Sequence, residues 1–496
     1  MSDLALSKGD VLTDTMPETG NNNSHEHTHA QNRFAVIPTA EKIGAAPEYS
    51  GRDVTIAFLD SGFYPHPDLI DRVIAFHDIS GEESTLASID KPIGHHWHGT
   101  QTVVACAGNG SLSEGVYRGL AHHAQLVLVK VSAKGRIADA SIEKGLRWVI
   151  ENRERYGIRI LNMSLGGDID VGLADSCINR LTEELVASGV VVTVAAGNSA
   201  ESRSIPPANA PSVITVGGYS DENQFSEDGF DLYHSSYGPT ADGLVKPEII
   251  APAMYVAAPI LPGTEDYEKA EVLSLIADST NYLFREVFIA NWQKAGLQEY
   301  ILSTDVVTAR QIVEQEMTKR KIVATHYQHV DGTSFAAPIA ASVAAQMIEA
   351  NPDLTPAVIK NILISTASRL SGHPAIRQGF GVLNARMAVE MALKETHFLE
   401  STSYFAPRIE NGQILFSYHD DEASEIVLCG DFNGWRHDIS FDKSDHGLWH
   451  AAIPCQPVGQ YRYKFLIDGN RWTEDPSHGL KDEDGFGGFN SILRID

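Results

Sequence analysis

The chain predicts two folded units in series: an open α/β domain built on a buried sheet, then a small all-β sandwich. Three observations predict this. Val54-Thr55-Ile56-Ala57-Phe58-Leu59 is an unbroken apolar, β-branched run, the signature of a strand covered on both faces. An Ala-rich stretch over residues 336–350, halted by Asn351-Pro352, predicts a long buried helix. From Arg408 the pattern shifts to short strands punctuated by Gly, Asp and Asn, which fits a sandwich. A length of 496 residues agrees, since about 100–200 residues per domain leaves room for roughly two to four units.

In chain order, residues 1–32 are rich in Ser, Thr, Asn, Gly and Glu and read as a disordered tail. His25-Glu26-His27-Thr28-His29 matches a zinc-protease pattern in letters only, because its flanks lack the apolar periodicity of the helix that pattern needs. Phe34-Ala35-Val36-Ile37-Pro38 is an apolar patch ahead of the first strand. That strand ends in Asp60-Ser61-Gly62, so Asp60 stands at a carboxyl edge, where open α/β sheets place their sites. His98-Gly99-Thr100 then opens a helix through Val103-Val104-Ala105-Cys106-Ala107. Ile158-Arg159-Ile160-Leu161-Asn162 and the run into Ala195-Ala196-Gly197-Asn198 are further strands with polar ends. Residues 264–328 read as a helical insertion. Val306, Val307, Ile312, Val313 and Met317 recur at helical spacing behind Thr304-Asp305, and Leu283, Val287 and Phe288 mark a second helix with Trp292 near its end. A helical pair over an exposed flank is the plainest role, with a lid or an oligomer contact as alternatives. A helix over residues 384–394 closes the first unit, residues 396–407 form a linker, and residues 408–496 form the sandwich. Lys319-Arg320-Lys321 reads as a solvated helix end, and His95, His96, His122 and His123 as ordinary histidines.

The chemistry gathers at Gly332-Thr333-Ser334-Phe335-Ala336-Ala337-Pro338. A glycine-led turn sets Ser334 where a helix begins, so its N–H and the positive end of the helix dipole lie beside any oxyanion. A serine hydroxyl alone is a poor nucleophile and needs a base with an orienting acid. His98 is the candidate base and then acid, Asp60 the group holding its tautomer, and Asn198 an amide donor to the oxyanion. Ala336 breaks the Gly-x-Ser-x-Gly elbow, and the chain order Asp, His, Ser selects one of the three known arrangements.

With Asp60-Ser61-Gly62, His66-Pro67-Asp68-Leu69, His98-Gly99-Thr100, Asn162-Met163-Ser164-Leu165-Gly166-Gly167, Ala195-Ala196-Gly197-Asn198 and the Ser334 run in this order, residues from about 45 to 395 resemble a subtilisin-like serine peptidase. The resemblance implies a three-layer subtilisin-like α/β sandwich with a largely parallel sheet, over a peptidase domain of residues 33–395. It implies that Ser164, Leu165 and Gly166 pair with extended substrate backbone, a form of β-augmentation. Ser164, Gly166 and Ala196 would line a mostly apolar pocket that Ile205 narrows. Gln101, Phe335 and Ile339 depart from the common family residues and bear on pocket shape, not on the catalytic atoms. No metal or cofactor is required for the reaction. A structural calcium near Asp68 and Asn109-Gly110-Ser111-Leu112-Ser113-Glu114 is the family's precedent, against which a solvated turn is the plainer expectation. Residues 34–38 resemble a short cleft-blocking segment of intracellular members. Packing on the domain surface is the equal alternative.

Cys429-Gly430-Asp431-Phe432-Asn433-Gly434-Trp435 and Tyr463-Lys464-Phe465-Leu466-Ile467-Asp468-Gly469 resemble the glycogen-binding module of AMP-activated kinase β subunits and the early-set domains of branching enzymes. The resemblance implies an immunoglobulin-like β-sandwich that binds α-glucan through Trp435, Lys464, Trp472, Phe486 and Asn490. Aromatic faces would meet sugar rings and polar groups would meet hydroxyls. Gly488 stands where the family has a polar residue, which weakens one hydroxyl contact.

A net charge of −27 argues against a nucleic-acid partner, since such partners call for a basic footprint. No stretch approaches the ~18 apolar residues of a membrane span, and the first residues lack a signal-peptide pattern. Four scattered cysteines, Cys106, Cys177, Cys429 and Cys455, fit free thiols in a reducing cytoplasm, with a Cys429–Cys455 bridge as the minor alternative. The expectation is a cytoplasmic serine endopeptidase acting on protein or peptide and tethered to glucan such as glycogen. The alternatives are a dedicated leader-peptide peptidase with a vestigial β module, or an inactive glucan-binding scaffold. Oligomeric state is left open, and with no interdomain contact legible, glycogen is expected to localise the enzyme without changing its rate.

Overall fold

The computed structural model describes residues 36–395 and 407–495, apart from 227, 228, 411, 445, 446, 477, 479, 480 and 487. The expected tail, the His25–His29 pattern, Phe34, Ala35 and nearly all of the linker lie outside the described residues.

Seven parallel strands form the first unit: β1 (Thr55–Asp60), β2 (Val73–Asp78), β3 (Gln125–Lys130), β4 (Ile158–Met163), β5 (Val191–Ala195), β6 (Ile214–Ser220) and β7 (Ile249–Pro252). Their order is β7-β6-β5-β4-β1-β3-β2, and a short strand, Asp231–Leu232, pairs antiparallel with β6. Every residue of β1 is buried because both faces are covered, as a parallel sheet requires. Ile56 and Phe58 join an apolar cluster that includes Val103 and Val104 of helix His96–Ala107 and Ala340 and Val343 of helix Thr333–Ala350. Ala57 and Leu59 face the other way, onto Ile142 and Leu146 of helix Asp139–Tyr156 and Leu181 and Leu185 of helix Cys177–Ala187. The result is a three-layer sandwich. The strand order reverses across β1, which sets the carboxyl ends of β1 and β4 side by side at the crevice where such sheets bind ligands.

The insertion leaves strand Val256–Pro259 and returns as Tyr327–Val330, which pairs with it antiparallel only four residues before Ser334. It holds three helices, Glu265–Asp278, Phe284–Asn291 and Val306–Lys319, around a core of Ala270, Leu273, Phe284, Phe288, Val313 and Met317. The first of these was not legible as a pair member, and Val307, assigned to the apolar stripe, is exposed. Asp305 caps the third helix as expected, accepting the Val307 and Thr308 N–H groups.

Val36 and Ile37 are buried, and Val36 packs with Tyr117, Ala257, Val323 and Tyr327. The Ile37 N–H donates to Asn223, and Lys42 pairs with Asp221 at 2.7 Å. These contacts favour surface packing over cleft blocking for residues 36–38.

The second unit is an antiparallel sandwich. One sheet centres on Gln413–His419 and Leu448–Pro454, the other on Ile426–Gly430, Gly459–Ile467 and Phe489–Ile495. Its core gathers Phe416, Trp449, Ile453, Tyr463, Phe465 and Leu493. Leu448 turns outward from this core into the apolar cluster of the first unit, and Glu474 lies close enough to Arg369 to favour its charged form against burial. The two units therefore touch, through a contact that was not legible in the sequence.

Candidate functional site

Asp60 closes β1 and is buried. Its carboxylate accepts the Ser61 N–H at 2.6 Å and the His98 ring at Nδ1, 2.7 Å away, and the Thr102 hydroxyl lies 3.2 Å from its second oxygen. His98 sits in the first turn of its helix, and the helix can approach β1 only because residue 99 is glycine. A Cβ there would lie 2.2 Å from the Gly62 carbonyl oxygen. With Nδ1–H given to Asp60, the Nε2 lone pair is left to take a proton. Burial disfavours the imidazolium, but the Asp60 charge and hydrogen bond outweigh it and hold the His98 pKa above its ordinary 6.5.

Ser334 lies in the first turn of a helix that starts at Thr333, three residues earlier than the Ala-rich run suggests. Gly332 precedes it at φ 139°, backbone that favours glycine. Pro338 falls four residues after Ser334 and has no N–H, so the Ser334 carbonyl loses its helical partner. Ser164, just beyond β4, donates its hydroxyl to that carbonyl at 2.8 Å instead. Ser164 in turn accepts from Asn162 at 3.1 Å, and Asn162 accepts from Thr193 at 3.1 Å. Ser164 thus supports the Ser334 turn through its side chain, a duty the sequence did not reveal. Among the described residues no hydrogen bond joins Ser334 to His98, a contact that substrate commonly tightens in such enzymes. The neighbouring Phe335 ring lies 6.1 Å from the imidazole.

Asn198 follows β5, and its Oδ1 accepts both the N–H and the hydroxyl of Thr333, each at 2.9 Å. Those donors fix the amide so that Nδ2 faces elsewhere, and a Cβ on Gly332 would lie 3.6 Å from it. Leu165 and Gly166 make no backbone hydrogen bonds among the described residues, leaving an edge that an extended peptide can pair with. Ile205 borders Gly166, with its side chain 3.6 Å from where a Cβ would stand. Gln101 turns away from the site and donates to the Pro259 carbonyl at 2.9 Å, tying the His98 helix to the insertion's ribbon.

Two cation sites can be weighed on their donors. Asp68 is buried, and its two oxygens accept the hydroxyls of Ser111 (2.8 Å) and Tyr327 (2.7 Å). A single carboxylate already given two proton donors fits calcium poorly, since that ion gathers about six to eight oxygens. Glu83, His95 and His96 form the only cluster of metal-ligand type among the described residues. There His96 accepts the Ile93 N–H on Nδ1 and gives its Nε2 proton to Glu83 at 2.6 Å, so neither nitrogen offers a lone pair. Lys130 lies 3.1 Å from the same Glu83 oxygen and already balances its charge.

On the sandwich, Trp435, Lys464, Trp472, Phe486 and Asn490 line one cavity of about 390 Å³ together with Asp484, which sequence reasoning missed. The Trp435 and Trp472 rings stand 6.2 Å apart at 55°, and Phe486 is almost fully exposed at 95%. Trp449, by contrast, is buried in the sandwich core. All four cysteines are free thiols, which excludes the Cys429–Cys455 bridge.

Comparisons with known proteins agree with both units. The subtilase family model matches residues 51–382, and the model described as the glycogen recognition site of AMP-activated protein kinase matches residues 413–496. Serine protease AprX of Bacillus subtilis (strain 168) is 32% identical over 374 residues, covering 72% of each chain. Subtilisin E of the same organism is 34% identical over 197 residues, 37% of this chain and 46% of that protein. Among solved structures, a protease of Pseudoalteromonas arctica PAMC 21717 aligns with a TM-score of 0.47 at 21% identity, covering 74% of this chain and 96% of that one. The chain belongs to the subtilase family of serine proteases, and it carries a glycogen-recognition module of the AMP-activated kinase type after the protease domain.

Proposed function

We propose that the protein is a serine endopeptidase that cleaves peptide bonds with Ser334 and is tethered to α-glucan by its sandwich module. The observation that carries the first half is the His98–Asp60 bond of 2.7 Å, which leaves the imidazole Nε2 ready as a base. Ser334 Oγ attacks the peptide carbonyl and passes its proton to His98 Nε2, while Asp60 stabilises the imidazolium. The Ser334 N–H and Asn198 Nδ2 hold the oxyanion. His98 then protonates the leaving amine, and water repeats the sequence on the acyl-enzyme. Substrate backbone lies along Ser164-Leu165-Gly166, and none of these steps calls on a cofactor. The convergence of the predicted sugar residues on one cavity supports the tether. Four free thiols suit a reducing compartment, for which we propose the cytoplasm.

Incubation with a peptide library, read by mass spectrometry, tests the activity and shows whether cleavage is broad or confined to one sequence. Ser334→Ala is expected to abolish cleavage and labelling by a fluorophosphonate probe. Cleavage at the wild-type rate by that variant would sink the assignment. Trp435→Ala with Trp472→Ala is expected to end co-sedimentation with glycogen while cleavage of a short peptide persists.

A further inference from the structure

The sugar cavity contains a carboxylate that the family resemblance does not supply. One oxygen of Asp484 accepts the N–H groups of Phe486 (2.7 Å) and Gly488 (2.9 Å), and the Asp484 N–H donates to the Gly488 carbonyl at 3.0 Å. These bonds close a tight turn behind Asp484 that presents Phe486 to solvent. The other oxygen pairs with the Lys464 ammonium, and Lys464 is a buried residue that lines the cavity. Residue 488 is the position where a polar side chain was expected. A Cβ there would lie 2.9 Å from Asp484 Oδ2, although the Gly488 backbone is in a region open to any residue. The carboxylate therefore occupies the space of the missing side chain.

We infer that Asp484 completes the glucan site, accepting a sugar hydroxyl in place of residue 488 and neutralising Lys464, so that the site selects neutral over phosphorylated α-glucan. This rests on the proposed glucan tether. Sugar hydroxyls are good donors to a carboxylate, and a hydrogen bond to a charged group is the stronger kind. A lysine free of its partner would attract phosphate as a point charge, whereas the ion pair offers a phosphate no net charge. Lys464 and two backbone N–H groups hold the Asp484 pKa down to about 2, so the carboxylate stays charged at any working pH.

The test uses the full chain and calorimetric titration with maltoheptaose and with the same oligomer carrying a 6-phosphate. Asp484→Asn keeps an acceptor for the two N–H groups but frees Lys464. Its affinity for the neutral oligomer is expected to fall roughly tenfold, the scale of one charged hydrogen bond, while affinity for the phosphorylated oligomer rises and becomes salt-dependent. Asp484→Ala combined with Gly488→Ser is expected to recover neutral binding, since a hydroxyl then fills the vacated space. An Asp484→Asn protein whose neutral-to-phosphorylated affinity ratio equals the wild-type ratio overturns the inference. Wild-type protein that binds neither oligomer overturns the tether itself, which is a separate result.

Discussion

Pro338 and Ser164 illustrate how one residue's missing proton sets another's role. Because Pro338 cannot donate to the Ser334 carbonyl, Ser164 does so across 170 positions of sequence. Ser164→Ala should leave that carbonyl unsatisfied, lowering stability by about 1–3 kcal/mol and slowing turnover. Adding Pro338→Ala restores an N–H inside the helix, so the double variant should regain most of the loss in thermal unfolding. Simple additivity of the two changes would argue against the compensation. His98 offers a second test at this scale. Its pKa is raised above 6.5, and the base must be neutral, so kcat/KM should climb with pH along a limb centred above 6.5. Asp60→Asn removes both effects that raise that pKa and leaves burial, which lowers it. The limb should move below pH 6.5 while turnover drops about 10⁴-fold, as for other Ser-His-Asp enzymes. A limb that stays in place would show that Asp60 does not govern His98.

Among the elements, the parallel strands were the easiest to foresee. A run such as β1, buried on both faces, has to be apolar throughout, and its polar end marks where the sheet stops. The insertion was harder, because helices that cover a small core of their own show only partial stripes. Helix Glu265–Asp278 mixes buried Leu273 with exposed Leu275 and so gives little periodic signal. The apolar segment before the first strand allowed two roles from composition alone, and packing separates them. Val36 packs against Tyr117, Ala257 and Tyr327, and the Ile37 N–H is held by Asn223. Deleting residues 1–38 should therefore lower the melting temperature and leave the rate on a small peptide unchanged. A marked gain in rate, with folding intact, would restore the blocking role.

At the scale of the whole molecule, the two units meet through Leu448, and Arg369 and Glu474 interact across them as opposite charges. Glu474 is two residues from Trp472, so the contact lies near the sugar cavity without forming part of it. Contacts of this kind, an apolar side chain beside a charge pair, are typical of interfaces between domains of one chain. Leu448→Asp should separate the thermal transitions of the two units while maltoheptaose binding and peptide cleavage persist. Loss of maltoheptaose binding would mean that the contact shapes the cavity itself.

The residues proposed for catalysis were legible because each ends or begins a regular element, and local chemistry marks such ends: Asp60 after an apolar run, His98 before a glycine, Ser334 after one. The aromatic and polar residues of the sugar cavity were legible through the resemblance of their motifs to the glycogen-binding module, and they meet in one cavity. Tertiary structure alone decided the rest. That Ser164 serves the Ser334 carbonyl, that Asp484 meets Lys464, and that Leu448 leaves its own core all depend on atoms brought together from different elements. Periodicity records which side of an element is buried. It carries no record of which distant group waits there with a free lone pair, an unshared proton or a missing Cβ.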